Sequence, residues 1–294
     1  MITIKELTKN YEEFEALNIP FLEINEGSIF GLVGVNGSSK STLLRTIAGV
    51  YKPNKGNVYI NNKIVYENEE VKKDILFIPD DPLSSYSLSL NSLYEYYHIF
   101  YNLNKETFFH YLDIFALPRS GILGKFSKGM RRRVYLAIAL AIAPSVLLLD
   151  EAFDGLDPLG KNIFKQELLK LTEEKEITLI ISSHSLRELE DICDSYCMLD
   201  KGRIISESSS SLQEADLYKF VVAFASNFDF DLIQNDFIKQ RKCSSKIGTF
   251  ICKGKERDIE QFFSSFNPNV IDKGELTFEE LFIYKNEMEG KEHD

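Results

Sequence analysis

Five apolar residues, Ile29 to Val33, run directly into Gly34-Val35-Asn36-Gly37-Ser38-Ser39-Lys40-Ser41-Thr42, after which Leu43, Leu44, Ile47 and Ala48 recur at helical spacing. The order reads as a buried strand, a tight loop and a helix, and such a strand needs a sheet covered on both faces. A loop of this kind aims successive backbone N–H groups, and the positive end of the helix dipole, at one point. That point favours phosphate. There Lys40 reaches β- and γ-phosphates, and the Ser41 hydroxyl ligates Mg²⁺. The strict pattern puts glycine before the lysine; this chain has Ser39. A side chain at that position is expected to weaken ATP binding relative to glycine, because the backbone must approach the phosphates closely.

Two further apolar runs have chemically apt ends. Val146 to Leu149 stops at Asp150 and Glu151, and Ile177 to Ile181 stops at Ser182, Ser183 and His184. Asp150 suits a Mg²⁺ position through its water shell, and Glu151 suits accepting a proton from water attacking the γ-phosphate. Ligands of open α/β sheets gather beyond the carboxyl ends of the strands. Three polar strand ends therefore predict an ATP site. Between the last two runs lies a helical pattern around 159–173, and alternation of strands with helices predicts a parallel, three-layer α/β core.

The remaining pattern places other elements around that core. Ile2, Ile4, Val58 and Ile60 alternate with polar residues as in half-buried strands. Residues 83–145 read as mainly helical. Ser92 is the expected cap of a helix carrying Leu93, Tyr96, Tyr97, Phe100 and Tyr101, and a second helix, Val134 to Ala143, stops at Pro144. A serine run, Ser206 and Ser208 to Ser211, marks the expected boundary between residues 1–211 and a small α+β appendage over 212–294. In the appendage strand-like stretches alternate with helical ones near 230–240 and 256–266.

Charge narrows the function. Lys and Arg total 34 against 45 Asp and Glu, a formal net charge of −11. That balance opposes nucleic acid as a partner, since phosphate neutralisation supplies much of such binding. Cys193, Cys197, Cys243 and Cys252 form no CxxC pair and fit a reducing cytosol. The first residues carry no export-signal pattern, and the longest apolar stretch, Val134 to Leu149, is interrupted by Pro144 and Ser145 and does not span a bilayer.

Over residues 1 to about 210 the sequence resembles the ATP-binding subunit of an ABC transporter. The most diagnostic segment is Phe126-Ser127-Lys128-Gly129-Met130, upstream of Asp150, which resembles the family's signature loop. The resemblance implies a P-loop ATPase core with an antiparallel β subdomain and a helical subdomain, using ATP and Mg²⁺. It implies that Gly155-Leu156-Asp157-Pro158 is the D-loop, that His184 contacts the γ-phosphate and that Tyr11 stacks on adenine. Ile78-Pro79-Asp80 occupies the Q-loop region, with Asp80 where the family usually has glutamine, and Asp80 would add a metal ligand and a negative charge. Ser127 and Gly129 would face the nucleotide of a second ATP-binding cassette. A separate transmembrane permease subunit would hold the cassette to the inner face of the membrane, with Tyr86, Tyr94, Tyr97 and Phe100 offering a docking surface.

The basic run Arg131 to Arg133 is expected to be solvated or subunit-facing. The Ser-Lys-Gly-Met loop and the ending Leu276 to Phe282 are similar to those of ABC-2-type drug and peptide exporters. A degenerate regulatory cassette that binds ATP with little hydrolysis, and a non-transport ABC ATPase acting on ribosomes or DNA, stand as alternatives.

Overall fold

The computed structural model describes residues 1–82, 87–209, 216–274, 276, 280 and 283–284, with the side chains of 207–209 set aside. The chain divides into two compact units, Met1–Ser210 and Ser211–Asp294.

In the first unit the elements run β1 (Ile2–Tyr11), β2 (Phe14–Ile24), β3 (Ile29–Val33), α1 (Lys40–Ile47), β4 (Lys55–Ile60), β5 (Lys63–Ile64), α2 (Glu69–Lys72), β6 (Ile75–Ile78), α3 (Leu90–Tyr101), α4 (Lys105–Ile114), α5 (Lys128–Ile142), β7 (Val146–Leu149), α6 (Pro158–Glu174), β8 (Thr178–Ser183), β9 (Ser195–Asp200) and β10 (Arg203–Ser209). Strands β2-β1-β4-β5 form one sheet, antiparallel throughout. A six-stranded sheet has the order β10-β9-β3-β8-β7-β6; β9, β3, β8, β7 and β6 are parallel, and β10 runs antiparallel at the edge. Helix α1 joins the two sheets. Its Leu43, Leu44 and Ile47 share one core with Ile2, Ile4 and Leu17 of the antiparallel sheet and with Phe30, Leu32 and Leu148 of the parallel sheet.

The parallel strands read as continuous apolar runs because both their faces are covered; every residue of β3, β7 and β8 is buried. Their order brings Val33, Leu149 and Ser183 to one edge, with Val33 beside Ser183 and Leu149 beside Ile181. Helix starts follow side-chain capping. The Ser127 hydroxyl accepts from the Met130 N–H at 3.1 Å, and Asp157 accepts from the Gly160 N–H at 2.8 Å ahead of Pro158. At α3 the cap is Ser89 rather than Ser92: its hydroxyl accepts from the Ser92 N–H at 3.0 Å, and the helix begins one residue later. Two serines at capping spacing leave the sequence open to either start.

The second unit contains β11 (Leu217–Ala223), β12 (Ile238–Cys243), β13 (Ile247–Lys253), α7 (Glu256–Ser264) and β14 (Val270–Gly274), in an antiparallel sheet of order β12-β13-β11-β14. Phe220, Phe230, Phe250 and Phe263 centre its core. The helix expected near 230–240 is absent: a short 3-10 turn, Phe230–Leu232, precedes the edge strand β12. Ile233 and Phe237 imitate helical spacing, whereas β12 takes its register from β13.

Candidate nucleotide site

The phosphate-type loop grows out of β3. Gly34 lies where two backbones meet, since a Cβ there would stand 2.3 Å from the Leu199 carbonyl oxygen. Gly37 has φ +86 and opens into free space. Ser39 caps α1 with φ +83 and ψ 20, the left-handed region, without a side-chain cap bond. Glycine enters that region without strain and serine does not. The loop therefore adopts the left-handed shape at a non-glycine residue. Lys40, almost wholly buried, donates from Nζ to the carbonyls of Gly34 at 2.6 Å and Val35 at 3.3 Å, and pairs with Glu151 Oε1 at 3.1 Å.

Across from the loop, Asp150 and Glu151 leave β7. Asp150 is fully buried, and its Oδ1 accepts from the Ser182 hydroxyl at 2.7 Å. The same Ser182 oxygen accepts from the Glu151 N–H at 2.9 Å. Glu151 has φ +48, a second strained non-glycine backbone beside the cleft. Its Oε2 accepts from the His184 N–H at 3.2 Å and lies 3.0 Å from His184 Nδ1. Asn36, Gly37, Ser39, Lys40, Ser41, Thr42, Asp80 and Glu151 line one cleft of about 360 Å³. Burial pushes the Asp80 carboxyl above the usual carboxylate range, and the nearby Arg132 and Lys128 charges oppose that rise.

A Mg²⁺ nucleotide fits this donor set. Asp150 Oδ2 is buried and has no hydrogen-bond partner among the described residues, so a charged oxygen remains free for a cation or its water. Ser41, Asp80 and Glu151 add the hard oxygen donors that Mg²⁺ takes, beside the Lys40 ammonium. Tyr11, 42% exposed, stands at the end of β1 with its ring edge-on to Tyr51 at 6.1 Å. A core tyrosine would be covered; this ring is open beside α1.

Other expected site residues lie apart from the cleft. Ser127 caps α5, Asp157 caps α6 and pairs with Arg133, and Gly129 packs so closely that a Cβ would be 2.7 Å from the Gly155 carbonyl. Ser38 is buried beneath the loop. The arginine run also differs from expectation. Arg131 donates to the Phe126 carbonyl at 2.7 Å, and Arg132 is 4% exposed, with its guanidinium turned into the protein. The signal for this was available: consecutive residues point about 100° apart around a helix, so three arginines in a row cannot all share its solvent face. Tyr94 is buried and Tyr97 mostly covered, whereas Phe100 is 62% and Ile99 75% exposed. Tyr86 lies outside the described residues.

Comparison with known proteins agrees with this arrangement. Residues 17–154 match the ABC transporter family. An ABC transporter ATP-binding protein of Bacillus subtilis, YhcH, is 32% identical over 247 residues, covering 82% of this chain and 81% of that protein. The bacitracin transport ATP-binding protein BcrA of Bacillus licheniformis is 30% identical over 216 residues, covering 70% of this chain and 69% of that protein. A solved ATP-binding subunit of an ABC transporter superposes with a TM-score of 0.65 at 26% identity, covering 71% of this chain and 90% of that one. The fold and cleft define a P-loop ATPase of the ATP-binding-cassette class. The chain belongs to the ABC transporter ATP-binding family: it is the ATPase motor of a transporter, working on ATP with Mg²⁺.

Proposed function

We propose that this cassette powers the export of a peptide or drug-like substrate through a separate transmembrane subunit at the inner face of the membrane. The observation that carries the catalytic part is the network in which Lys40, Glu151 and His184 meet across one cleft. In this reading the loop N–H groups from Gly34 to Thr42 cradle the phosphates, and Lys40 neutralises charge on the γ-phosphate. Ser41, Asp150 and Asp80 hold the metal, and Tyr11 stacks on adenine. Mg²⁺ held there would supply positive charge that neutralises charge developing on the phosphates. Glu151 accepts the proton of water as its oxygen bonds to the γ-phosphorus and the β–γ bridging oxygen departs. His184 orients Glu151 and contacts the γ-phosphate. Ser127, Gly129 and Asp157 act on the nucleotide of a second cassette.

Export is supported by the likeness to the bacitracin transport protein. A separate channel is supported by the finding that no helix among the described residues is long and apolar enough to cross a membrane. The exposed Tyr96, Ile99 and Phe100, clustered on α3, supply an apolar surface for that channel. The reading is tested by purifying the tagged full chain from detergent-solubilised membranes and by measuring host resistance to membrane-active peptides. A copurifying polytopic protein, with resistance lost in Glu151→Gln, is expected. Copurification with ribosomes or nucleic acid instead would overturn it.

A further inference from the structure

Arg132 presents an unusual arrangement for a charged side chain. Its guanidinium has five N–H donors, and it meets five main-chain carbonyls. Nη1 donates to Pro79 at 2.7 Å and Asp80 at 3.2 Å, Nη2 to Asp150 and to Glu151 at 2.7 Å, and Nε to Ala152 at 3.4 Å. These carbonyls follow the ends of β6 and β7, adjacent parallel strands, while Arg132 itself stands in the second turn of α5. A charge this deeply buried is tolerated only when its donors are satisfied. One side chain thus fastens two strand ends to the helix that Ser127 opens.

The contact with Glu151 has a mechanical consequence. At φ +48 this glutamate occupies a region that is strained for a non-glycine residue and persists only where the surroundings over-determine it. Ser182 holds its N–H, and Arg132 and the Asp154 N–H, at 3.0 Å, hold its carbonyl. Without Arg132 the carbonyl would keep only the Asp154 N–H, leaving the backbone freer to relax and the carboxylate freer to swing away from Lys40 and His184.

We propose that Arg132 is a positioning residue for hydrolysis, fixing the strained Glu151 backbone so that its carboxylate meets the attacking water. The inference rests on Glu151 being the proton acceptor. A displacement of about 1 Å at a reacting group lowers turnover by roughly 10²-fold. Arg132→Lys keeps the charge and loses the fork; Arg132→Gln keeps two donors and loses the charge.

The test uses the full chain, with ATP binding by calorimetry and turnover counted per bound nucleotide, so that unfolded protein does not register as lost catalysis. Both variants are expected to bind ATP within about threefold of the parent and to lose kcat by about 10²-fold with KM little changed, Lys retaining more than Gln. In a Glu151→Gln background, Arg132→Lys should lower the residual turnover less than twofold, because both changes act through one group. Full additivity, unchanged kcat per bound nucleotide, or loss of ATP binding in both variants would each overturn the proposal. Should Glu151→Gln alone leave turnover unchanged, the base assignment fails, a result distinct from any of these.

Discussion

Two polar regions of the first unit use the same residue types in opposite ways. Around the cleft, Lys40, Asp150, Glu151, Ser182 and His184 hold one another, and the set still leaves Asp150 Oδ2 without a partner among the described residues. Around the start of α5, Ser127 and Asp157 complete helix caps and Gly129 makes room for the Gly155 backbone. The first region keeps a buried carboxylate oxygen and strained backbone after folding. The second uses its side chains for caps and a close backbone contact, with Arg133 Nε beside Asp157 the one donor there left without a partner among the described residues. A site built for a ligand shows in what remains unsatisfied, and by that standard the carboxylate oxygen Asp150 Oδ2 points to the cleft as the proposed nucleotide site. The loop at Ser127 needs something beyond this cleft to become one.

The largest expected effect tests the cleft side. Glu151→Gln keeps the size of the side chain and removes the proposed proton acceptor, a role worth about 10²–10⁴-fold. Turnover should fall by that factor while ATP affinity stays within a few-fold, and ATP-bound dimers should accumulate on size exclusion. Parental turnover would show that the Lys40–Glu151–His184 network is structural only.

A second change separates the two regions. Ser127→Ala removes a cap worth about 1 kcal/mol and, in the two-cassette reading, a donor aimed at the partner's γ-phosphate. Loss of one such preorganised donor costs about 10²–10³ in kcat. The variant should bind ATP as the parent does, lose some thermal stability, and lose turnover and ATP-dependent dimerisation together. A fall in melting temperature with turnover unchanged would reduce Ser127 to a cap.

What was legible in the sequence divides along the same line. The strand–loop–helix of 29–48 and the acids after Val146 to Leu149 were legible because their chemistry lies in consecutive residues. The role of Arg132 was not, because its acceptors come from residues 79–80 and 150–152, segments that only the strand order brings together. Edge strand β12 was hidden for a related reason: its mostly exposed residues carry no alternation, and its conformation comes from pairing with β13. The exposed Ile99 and Phe100 were obscured because α3 is aromatic on several sides, and packing against α4, through Tyr94 and Phe108, decides which rings are covered.

The smallest expected effect concerns Ser39, where the cost of a non-glycine residue falls either on binding or on folding. Expressed wholly in binding, about 1–3 kcal/mol of strain would weaken affinity by roughly 5- to 150-fold. The folded loop, however, already holds φ +83 at Ser39, so the strain belongs to the chain's own fold and is common to the free and bound forms if the loop keeps its shape. Glycine relieves about 1–2 kcal/mol of left-handed strain and gives back about 0.4–1 kcal/mol through greater freedom of the unfolded chain. Ser39→Gly should therefore raise stability by roughly 0–1.6 kcal/mol and change ATP affinity by less than about threefold. Urea midpoints and calorimetry at matched Mg²⁺ measure the two effects separately. A tenfold gain in affinity with no gain in stability would show that the serine loop must move to take phosphate, and the cleft would then be less preorganised than its hydrogen bonds indicate.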